Sequence, residues 1–203
     1  EAQTEEWVPR LGTGEVAGWY ALTGPGAGSD PGGLTTTAER EGDSWVITGS
    51  KIFITLGTWA GLALVFARTG EKITCFLVPT DAPGFSAHHI KGKLRPPGPT
   101  TGCLTLDGVP VPAENVLGEE GAGMKVALSA LDNGRISLAA GCVGIGQGCL
   151  EACLSYASER RQFGRSIASF QLVQELLAEI AVETDAARLL TWKAALAADA
   201  GTR

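Results

Sequence analysis

Short runs of β-branched and aromatic residues, separated by turn residues, fill the chain from position 19 to about 117. Such runs are typical of strands, and five of them stand out, at 44–48, 51–55, 62–68, 73–79 and 103–106. Gly42 with Asp43, and Asp107 with Gly108, indicate turns between strands. The spacing predicts antiparallel sheets that close into a barrel or a sandwich.

The pattern becomes helical at Gly118. Residues 122–161 contain no proline and predict one long helix, and 169–200 predict a second helix with Ser169 as its N-cap. Because the link at 164–168 is short, we expect the two helices to pack antiparallel. A glycine inside a helix costs about 1 kcal/mol relative to alanine. We therefore expect another helix or a ligand to approach the first helix at its glycines, which are Gly134, Gly141, Gly144, Gly146 and Gly148.

Three regions follow from these patterns, and together they predict an α+β fold. Residues 1–18 carry charge and glycine with little periodicity and predict a connecting segment. Residues 19–117 predict a β domain, and 118–203 predict part of a helical bundle domain. A chain of 203 residues that is 44% hydrophobic and 19% charged is typical of a soluble globular protein.

The charge balance and the apolar runs exclude some partners. The net charge of −6, from 16 basic and 22 acidic residues, argues against nucleic acid, because phosphate binding needs clustered lysine and arginine. The longest apolar runs, such as 138–150, are interrupted by glycines and fall short of the ~20 residues that span a bilayer, so no membrane span is expected. The acidic N-terminus shows no apolar leader.

The cysteines do not form a recognisable disulfide or metal-binding pattern. Five of them, at 75, 103, 142, 149 and 153, include no CxxC pair, and their odd number does not suit a set of disulfides. The pattern favours buried, reduced cysteines in a cytoplasmic protein. No metal site is predicted, because His88 and His89 are neighbours and lie far from the cysteines in sequence.

The segment 19–30, WYALTGPGAGSD, leads a strand into a glycine-rich turn. Gly26 and Gly28 leave the backbone accessible to a ligand and permit positive φ. Exposed N–H groups on such a turn form a concave anion site, and Thr23 and Ser29 add short hydroxyls. The segment suits a cofactor with a phosphate and a hydrogen-bonding ring edge, although a plain turn is the commoner origin of such a cluster.

Four motifs in order make this segment far more specific. They are TGPGAGSD at 23–30, KIFITLG at 51–57, VPVPAENVLGEEGAGMKVALSALDNGR at 109–135 and ERRQFGRSIASFQLVQELLAEIA at 159–181. Together they resemble the acyl-CoA dehydrogenase family, from about Trp19 to the end of the chain. The resemblance implies an oxidoreductase of fatty acid metabolism that binds FAD and introduces an α,β double bond into an acyl-CoA thioester. It also implies an electron-transferring flavoprotein as electron acceptor and a homo-oligomer, a dimer or a tetramer.

The resemblance assigns the glycine-rich segment to the flavin. Tyr20, Leu22 and Thr23 match residues that meet the pyrimidine edge of the ring. Gly28 and Ser29 match residues toward the ribityl and phosphate groups, and Ser29 also lies toward the thioester entrance.

The second motif carries an aromatic-x-threonine pair. Phe53 resembles the residue that shields the flavin, and Thr55 resembles the hydroxyl near N5. Plain strand packing of Phe53 and Ile54 is the alternative. Two residues depart from the family pattern, since Gly24 stands where a glutamate is usual and Leu56 where an asparagine is usual. Both weaken any inference about fine tuning of the flavin.

The motif ERRQFG supplies the remaining cofactor candidates. Arg160 and Phe163 match residues that reach the FAD of a neighbouring subunit, and Gln162 and Gln171 resemble further contacts. Arginine presents a rigid fork of donors that suits a pyrophosphate. The alternative is a helix C-terminus with cations that favour its dipole.

Asp132 and Arg135 are the substrate candidates on the first predicted helix. By resemblance they face the acyl-CoA channel, while an exposed i,i+3 pair worth a few tenths of a kcal/mol is the alternative. The family's catalytic glutamate lies near the C-terminus in most members. A minority carries it just before this arginine, where Gly134 stands. No catalytic residue is therefore assigned, and the base is expected beyond Arg203.

The family arrangement has a preceding helical domain and four C-terminal helices, so the chain is expected to be a fragment with the β domain and about two of those helices.

Three alternatives stay open beside the dehydrogenase. An acyl-CoA oxidase or a flavin monooxygenase shares the same scaffold. A non-catalytic subunit would explain the missing glutamate.

Overall fold

The computed structural model describes residues 2–94 and 100–202. The chain divides into two compact units, one that ends at Leu128 and one that starts at Ser129. The first unit holds a helix and a curled sheet, and the second holds long helices, which confirms the predicted α+β fold.

Among its described residues, the first unit contains a helix and seven strands, and a second helix begins at its end. The first helix and the strands are α1 (Ala2–Gly12), β1 (Gly18–Ala21), β2 (Thr37–Glu41), β3 (Ser44–Thr55), β4 (Leu62–Thr69), β5 (Lys72–Pro79), β6 (Phe85–His89) and β7 (Thr101–Pro112). Short 3₁₀ turns lie at Pro31–Gly33 and Ala113–Asn115.

Helix α1 corrects the prediction that 1–18 contains no regular element. Its Trp7 is buried in a cluster with Leu62 and Leu77. The Gln3 side-chain amide donates to the carbonyls of Glu114 and Val116, at 2.6 and 2.9 Å. These contacts join residues that are distant in sequence. They stabilise a helix that the weak hydrophobic periodicity of 1–18 does not predict.

The seven strands form one mixed sheet. Its order is β1-β4-β2-β3-β7-β6, and β5 pairs with the other edge of β4. Both β1 and β2 pair with β4 in parallel, so the prediction of purely antiparallel sheets is wrong for these two pairings. Parallel partner strands are joined by long connections. Turn residues between neighbouring runs therefore cannot predict a parallel pairing.

Two predicted turns or breaks lie inside continuous strands. Asp107 and Gly108 belong to β7, where Gly108 has a φ of 62°. On β3, Ile47 pairs with Val109 while Gly49 pairs with Leu106, so β7 carries one extra residue at this point. The Asp-Gly pair marks a β-bulge and no chain reversal. Likewise, the runs at 44–48 and 51–55 are one strand.

The core of the first unit consists of clusters of buried side chains mainly from the strands, one of which includes Ala127 near the end of this unit. One cluster centres on Trp45 and Phe76, whose rings meet edge to face at 5.6 Å. A second cluster groups Leu34, Phe66 and Ala127.

The second unit is built from two long helices and a small hairpin. They are α2 (Gly123–Glu159), which begins in the first unit, β8 (Arg161–Gln162), β9 (Arg165–Ser166), a 3₁₀ turn at Ile167–Ser169 and α3 (Gln171–Asp199). The N-cap of α3 is Phe170, without a side-chain hydrogen bond, so the prediction of Ser169 is wrong. The Ser166 hydroxyl instead accepts from the Ala168 N–H at 3.2 Å and caps the 3₁₀ turn.

Helices α2 and α3 contact each other in antiparallel order. The Arg188 guanidinium donates to Gln147 Oε1 at 2.7 Å, and a Cβ added at Gly146 would lie 3.0 Å from Thr184 Oγ1. Gly146 therefore allows the close approach predicted for the helix glycines. At the other four an added Cβ meets nothing within 4 Å in the described structure, so the approach of a helix or a ligand there stays a prediction: Gly134, Gly141, Gly144 and Gly148.

Two further expectations concern α2. Its length and composition alone would allow it to cross a membrane, a property that core helices of soluble proteins share, so the expectation of no membrane span stays a prediction. Of the cysteines, Cys75 is buried and Cys103 half-buried, whereas three on α2 are exposed: Cys142, Cys149 and Cys153. The prediction of buried cysteines is therefore confirmed for Cys75 and wrong for the three cysteines on α2.

Gly57 and Gly102 bring two backbone segments into direct contact at the end of β3. A Cβ added to Gly57 would lie 2.8 Å from the Cα of Gly102, and one added to Gly102 would lie 2.9 Å from the Cα of Gly57. No side chain fits between them. The close approach fixes where Thr55 and Leu56 leave the sheet.

We expect Gly102→Ala to lower the free energy of unfolding by about 1–3 kcal/mol, because the new methyl group meets the Gly57 backbone and the two segments must separate. Urea denaturation measures it. Gly12→Ala is the control, since an added Cβ there meets nothing within 4 Å. Equal stability of the two variants would contradict the steric role of Gly102.

Candidate flavin site

A β-bulge in β3 places the aromatic-x-threonine pair on the surface. Lys51 pairs with Leu104 and Ile54 pairs with Gly102, so three steps along β3 match two along β7. The extra residue breaks the alternation of the strand. Lys51 and Ile54 are both buried, whereas Phe53 and Thr55 are both exposed.

The bulge holds non-glycine residues in the left-handed region. Phe53 has a φ of 60° and Leu56 a φ of 59°. This conformation costs an L-residue about 1–2 kcal/mol. The Phe53 side chain is also 64% exposed, so burial does not offset the strain. Strain of this kind clusters at functional sites, which favours a ligand role for Phe53 over plain strand packing.

The glycine-rich loop lies beside this bulge. The Ile52 N–H donates to the Thr23 carbonyl at 3.0 Å, and Lys51 Nζ donates to the Leu22 carbonyl at 3.1 Å. The structure thus brings together two segments that are almost 30 residues apart in sequence. The Leu22 side chain is buried, so only its backbone can serve a ligand, while Thr23 is half-buried.

The middle of the loop is open. Gly24 and Ala27 exchange two backbone hydrogen bonds of 3.1 Å, which close a tight turn. A Cβ added at Gly26 or Gly28 meets nothing within 4 Å. Neither glycine has a positive φ, so what they contribute here is the free space above the backbone. Ser29 next to them is exposed.

The far end of the loop is anchored by Asp30 and Arg68. Asp30 Oδ1 accepts from the Gly32 N–H at 3.1 Å. The Arg68 guanidinium donates to the carbonyls of Gly32 and Leu34, at 2.6 and 3.4 Å. Asp30 therefore has a structural role.

Tyr20 is already engaged by the protein. Its hydroxyl donates to the Ala127 carbonyl at 3.1 Å, and its ring lies 5.1 Å from that of Phe66. Burial raises the pKa of Tyr20. Any contact of Tyr20 with a flavin thus uses its backbone or its ring, and the predicted role stays a prediction.

Lys51 is a candidate that sequence reasoning missed. Its side chain is fully buried, and Nζ donates to the carbonyls of Leu22 and Phe66. Burial lowers the pKa of Lys51 to about 8 and raises the pKa of Cys75 to about 12. At neutral pH the lysine is charged and the thiol is protonated. In the sequence, the one feature that could have indicated this role is a lysine at the start of the otherwise apolar run at 51–55.

In the second unit, a hairpin presents the ERRQFG motif. Phe163 and Gly164 join β8 to β9 with φ values of 51° and 78°, as a type I′ turn requires. Phe163 is 92% exposed, and its ring meets Phe170 edge to face at 6.2 Å. Arg165 lies over the Phe170 ring, 4.2 Å from its centroid. The turn thus holds another strained aromatic residue on the surface.

Arg160 follows the last residue of α2, so the predicted helix end at 161 is two residues too late. Its N–H donates to the Tyr156 carbonyl at 2.8 Å, and its side chain is exposed. Gln162 lies in β8 and donates to the Arg161 carbonyl at 2.7 Å. Gln171 is exposed at the first residue of α3. The backbone therefore leaves the Arg160 guanidinium accessible to an anion.

The substrate candidates on α2 form an exposed ion pair. Arg135 Nη1 lies 3.3 Å from Asp132 Oδ1, and their side chains are 68% and 52% exposed. Asp132 also lines a cavity of about 590 Å³, together with Asn133 and residues near the end of α3 such as Ala198. The exposed i,i+3 ion pair that the simpler alternative predicts is therefore present. The role of Asp132 and Arg135 in binding substrate stays a prediction.

Two family models match the chain in order. The model described as acyl-CoA dehydrogenase, middle domain, matches residues 20–109. The model described as acyl-CoA dehydrogenase, C-terminal domain, matches residues 121–203, and it covers the whole of the apolar helix α2. The chain belongs to the acyl-CoA dehydrogenase family. Members of this family are flavoprotein oxidoreductases that act on CH–CH groups and bind FAD.

Curated acyl-CoA dehydrogenases resemble the chain over nearly its full length. The glutaryl-CoA dehydrogenase of Desulfococcus multivorans is 41% identical over 99% of this chain and 53% of its own length. The mitochondrial short-chain specific acyl-CoA dehydrogenase of Homo sapiens is 40% identical over 97% of this chain and 49% of its own. The chain thus spans about half the length of these relatives.

Solved structures of the same family share the fold. A glutaryl-CoA dehydrogenase from Mycobacterium smegmatis in complex with FADH2 has a TM-score of 0.92 and 38% identity, over 100% of this chain and 53% of its own. A glutaryl-CoA dehydrogenase in complex with glutaryl-CoA has a TM-score of 0.93 and 40% identity, over 98% and 52%. A structure titled as the electron transferring flavoprotein of Acidaminococcus fermentans has a TM-score of 0.94 and 38% identity, over 100% and 55%.

We expect the free energy of unfolding of the protein, relative to that of Lys51→Met, to rise between pH 8 and pH 10. Because the folded pKa of Lys51 is about 8 and the ordinary pKa of a lysine is 10.5, mainly the unfolded chain keeps the proton in this range. Below pH 8 the buried charge of Lys51 destabilises the folded state in full, and this destabilisation disappears as the pH rises above 8. The free energy of unfolding changes by at most roughly 3 kcal/mol. Urea denaturation across this range measures it.

Lys72→Met is the control for this experiment, because Lys72 is exposed on β5 in the same unit. Tyr20 and Cys75 are present in all three proteins, so their titration largely cancels. A difference between wild type and Lys51→Met that stays constant with pH would contradict the lowered pKa.

Proposed function

We propose that the protein is an FAD-dependent dehydrogenase that introduces an α,β double bond into an acyl-CoA thioester. The observation that carries the proposal is the placement of Phe53 and Thr55 beside the open Thr23 loop, in a chain that matches both family domains. We infer from the family a cytoplasmic homo-oligomer that passes electrons to an electron-transferring flavoprotein.

The described residues fit a flavin. The exposed, strained Phe53 offers one flat apolar face, and an aromatic ring stacks well on another ring. The half-buried Thr23 and the exposed Thr55 add hydroxyls, and the free space above Gly26 and Gly28 admits a ligand to the backbone N–H groups. A polar ring edge and a phosphate chain need groups of these kinds.

The division of labour follows from these groups. FAD, when bound, supplies the redox chemistry by accepting the substrate's hydride. Phe53 excludes water from one ring face, while the hydroxyls of Thr23 and Thr55 orient the polar edge. Arg160 and Phe163 would hold a pyrophosphate and an adenosine, through charge-assisted hydrogen bonds and apolar contact.

The proton-accepting carboxylate is not assigned to a described residue. Gly134 stands where a minority of the family carries a glutamate, and it has no side chain to accept a proton. Asp132 is two residues away, which on a helix turns its side chain by about 200°. Its carboxylate pairs with Arg135. The acyl-CoA substrate is supported by the glutaryl-CoA complex of a structural relative.

We expect the full-length protein to purify with bound FAD and to dehydrogenate an acyl-CoA with a dye as electron acceptor. Denaturation, followed by chromatography of the released flavin, identifies the cofactor. FMN, or no flavin after reconstitution, would contradict the proposal. Rapid reoxidation of the reduced protein by air would indicate the oxidase alternative, and bound FAD without turnover would indicate a non-catalytic subunit.

We expect Phe53→Gly to weaken FAD binding roughly tenfold, because a ring contact of this size is lost. Without FAD its stability should stay equal or rise by up to about 1 kcal/mol, because glycine adopts the positive φ freely. Phe53→Tyr keeps the ring and should match wild type in both measurements. Unchanged FAD affinity in the glycine variant would remove Phe53 from the site.

We expect Arg160→Ala to lower FAD retention and to weaken the oligomer together, because one exposed guanidinium would serve both. Size-exclusion chromatography with detection at a flavin wavelength measures both. Arg161→Ala is the matched control, since its guanidinium donates within the hairpin to the Gly164 carbonyl. Full FAD occupancy in an intact oligomer would leave Arg160 as a helix-end cation.

A further inference from the structure

Lys51 is a buried ammonium whose hydrogen-bond partners are backbone carbonyls. Its exposure is 0%, and Nζ donates to the carbonyls of Leu22 and Phe66 at 3.1 and 2.6 Å. None of the ion pairs found within 2–94 and 100–202 includes it. Lysine is almost never fully buried without a partner of opposite charge. A neutral apolar side chain would fill the same volume at lower cost, so the charge and its two bonds require an explanation.

The position of Nζ coincides with a gap in the sheet. One edge of β4 pairs with β1 from Leu62 to Val65, and then with β2 at Arg68. Phe66 lies in the interval between these two partners. Lys51 reaches this interval from β3 and takes the Phe66 carbonyl, together with the Leu22 carbonyl just after the end of β1. The ammonium thus joins three strands where the main-chain pairing changes from one partner to the next.

Two successive residues of β3 hold two successive carbonyls of the glycine-rich loop. Lys51 takes Leu22 through its side chain, and Ile52 takes Thr23 through its N–H at 3.0 Å. The next residue is Phe53, at the bulge. The spacing between the backbone of Thr23 and that of Phe53 is therefore set by this pair of contacts, and the Lys51 ammonium supplies one of them.

The titratable groups around Lys51 do not neutralise its charge. Cys75 on β5 is the titratable group that acts on its charge, and burial keeps that thiol protonated. Tyr20 on β1 is also neutral, because burial raises its pKa. The ammonium is thus not neutralised by these neighbours, and the carbonyl oxygens of Leu22 and Phe66 are its acceptors.

We propose that Lys51 is a positioning residue of the flavin site, which fixes Leu22 and Thr23 against Phe53 and Thr55 so that both segments contact one ring. The inference rests on the proposed function. Lys51 acts through the two backbone carbonyls, and its own nitrogen is buried beneath the surface on which the flavin would lie.

The test compares Lys51→Met with Lys72→Met in the FAD-loaded, full-length protein. Methionine fills a similar volume without a donor, and Lys72 is an exposed lysine of the same unit. We expect the FAD dissociation constant of Lys51→Met to rise roughly tenfold or more, since two hydrogen bonds to a charged group are lost. We also expect the visible flavin band to shift, which a loss of global stability alone would not cause. Lys72→Met should match wild type.

Hydrogen exchange of the protein without FAD gives an independent measurement. In Lys51→Met the Ile52 amide, which donates to Thr23, should exchange roughly tenfold faster or more, whereas core amides such as that of Leu104 should keep their rates. If Met prevents folding, Lys51→Gln, which keeps a donor group, takes its place.

The outcomes separate the two hypotheses. If wild type binds FAD, and Lys51→Met shows the same FAD affinity, flavin spectrum and Ile52 exchange rate as wild type, the positioning role is overturned and the proposed function stays intact. Absence of FAD from wild type after reconstitution would overturn the proposed function, and the positioning role with it. Global unfolding of both the Met and the Gln variants would show that Lys51 serves the core as a whole, and would also overturn the positioning role.

Discussion

One extra residue in β3 determines which side chains reach the candidate flavin surface. In a regular strand, Lys51, Phe53 and Thr55 would share one face, and the sheet would bury or expose all three together. The bulge changes this parity, so that Lys51 enters the core while Phe53 and Thr55 leave it. A buried ammonium and an exposed aromatic ring are thus two results of the same local geometry. The strain at Phe53 is the cost of that change.

The edge of β4 is the second constraint. It passes from one parallel partner to another within a few residues, and the glycine-rich loop leaves the sheet at this point. Strand pairs far apart in sequence bring the loop and the bulge together. Side chains such as Lys51 and Arg68, which donate to main-chain carbonyls, satisfy backbone groups near the points where regular pairing ends.

Local patterns in the sequence predicted the elements with strong periodicity. The runs at 62–68 and 73–79 lie within β4 and β5, and the two long helices appear close to their predicted bounds. Helix α1 and the parallel pairings were missed, because both depend on contacts distant in sequence. The Asp-Gly pair on β7 predicts a turn but forms a bulge, since an Asp-Gly pair with positive φ suits either structure.

The candidate site shows the same limit. Motif order supplied Thr23, Phe53 and Arg160, but no local pattern shows that the Tyr20 hydroxyl is engaged by Ala127 or that Lys51 is buried. Those facts arise from tertiary packing. The sequence position of a residue indicates its candidate role, whereas the partners of its polar atoms decide which of its groups a ligand can use.

The contact between Gly57 and Gly102 has a mechanical consequence. Two backbones that touch without side chains have no rotamers to change, and atoms already at van der Waals contact resist compression. The end of β3 beyond Thr55 therefore behaves as a fixed stop. The backbone around Gly26 and Gly28, where an added Cβ meets nothing within 4 Å, has by contrast the free space that the end of β3 lacks.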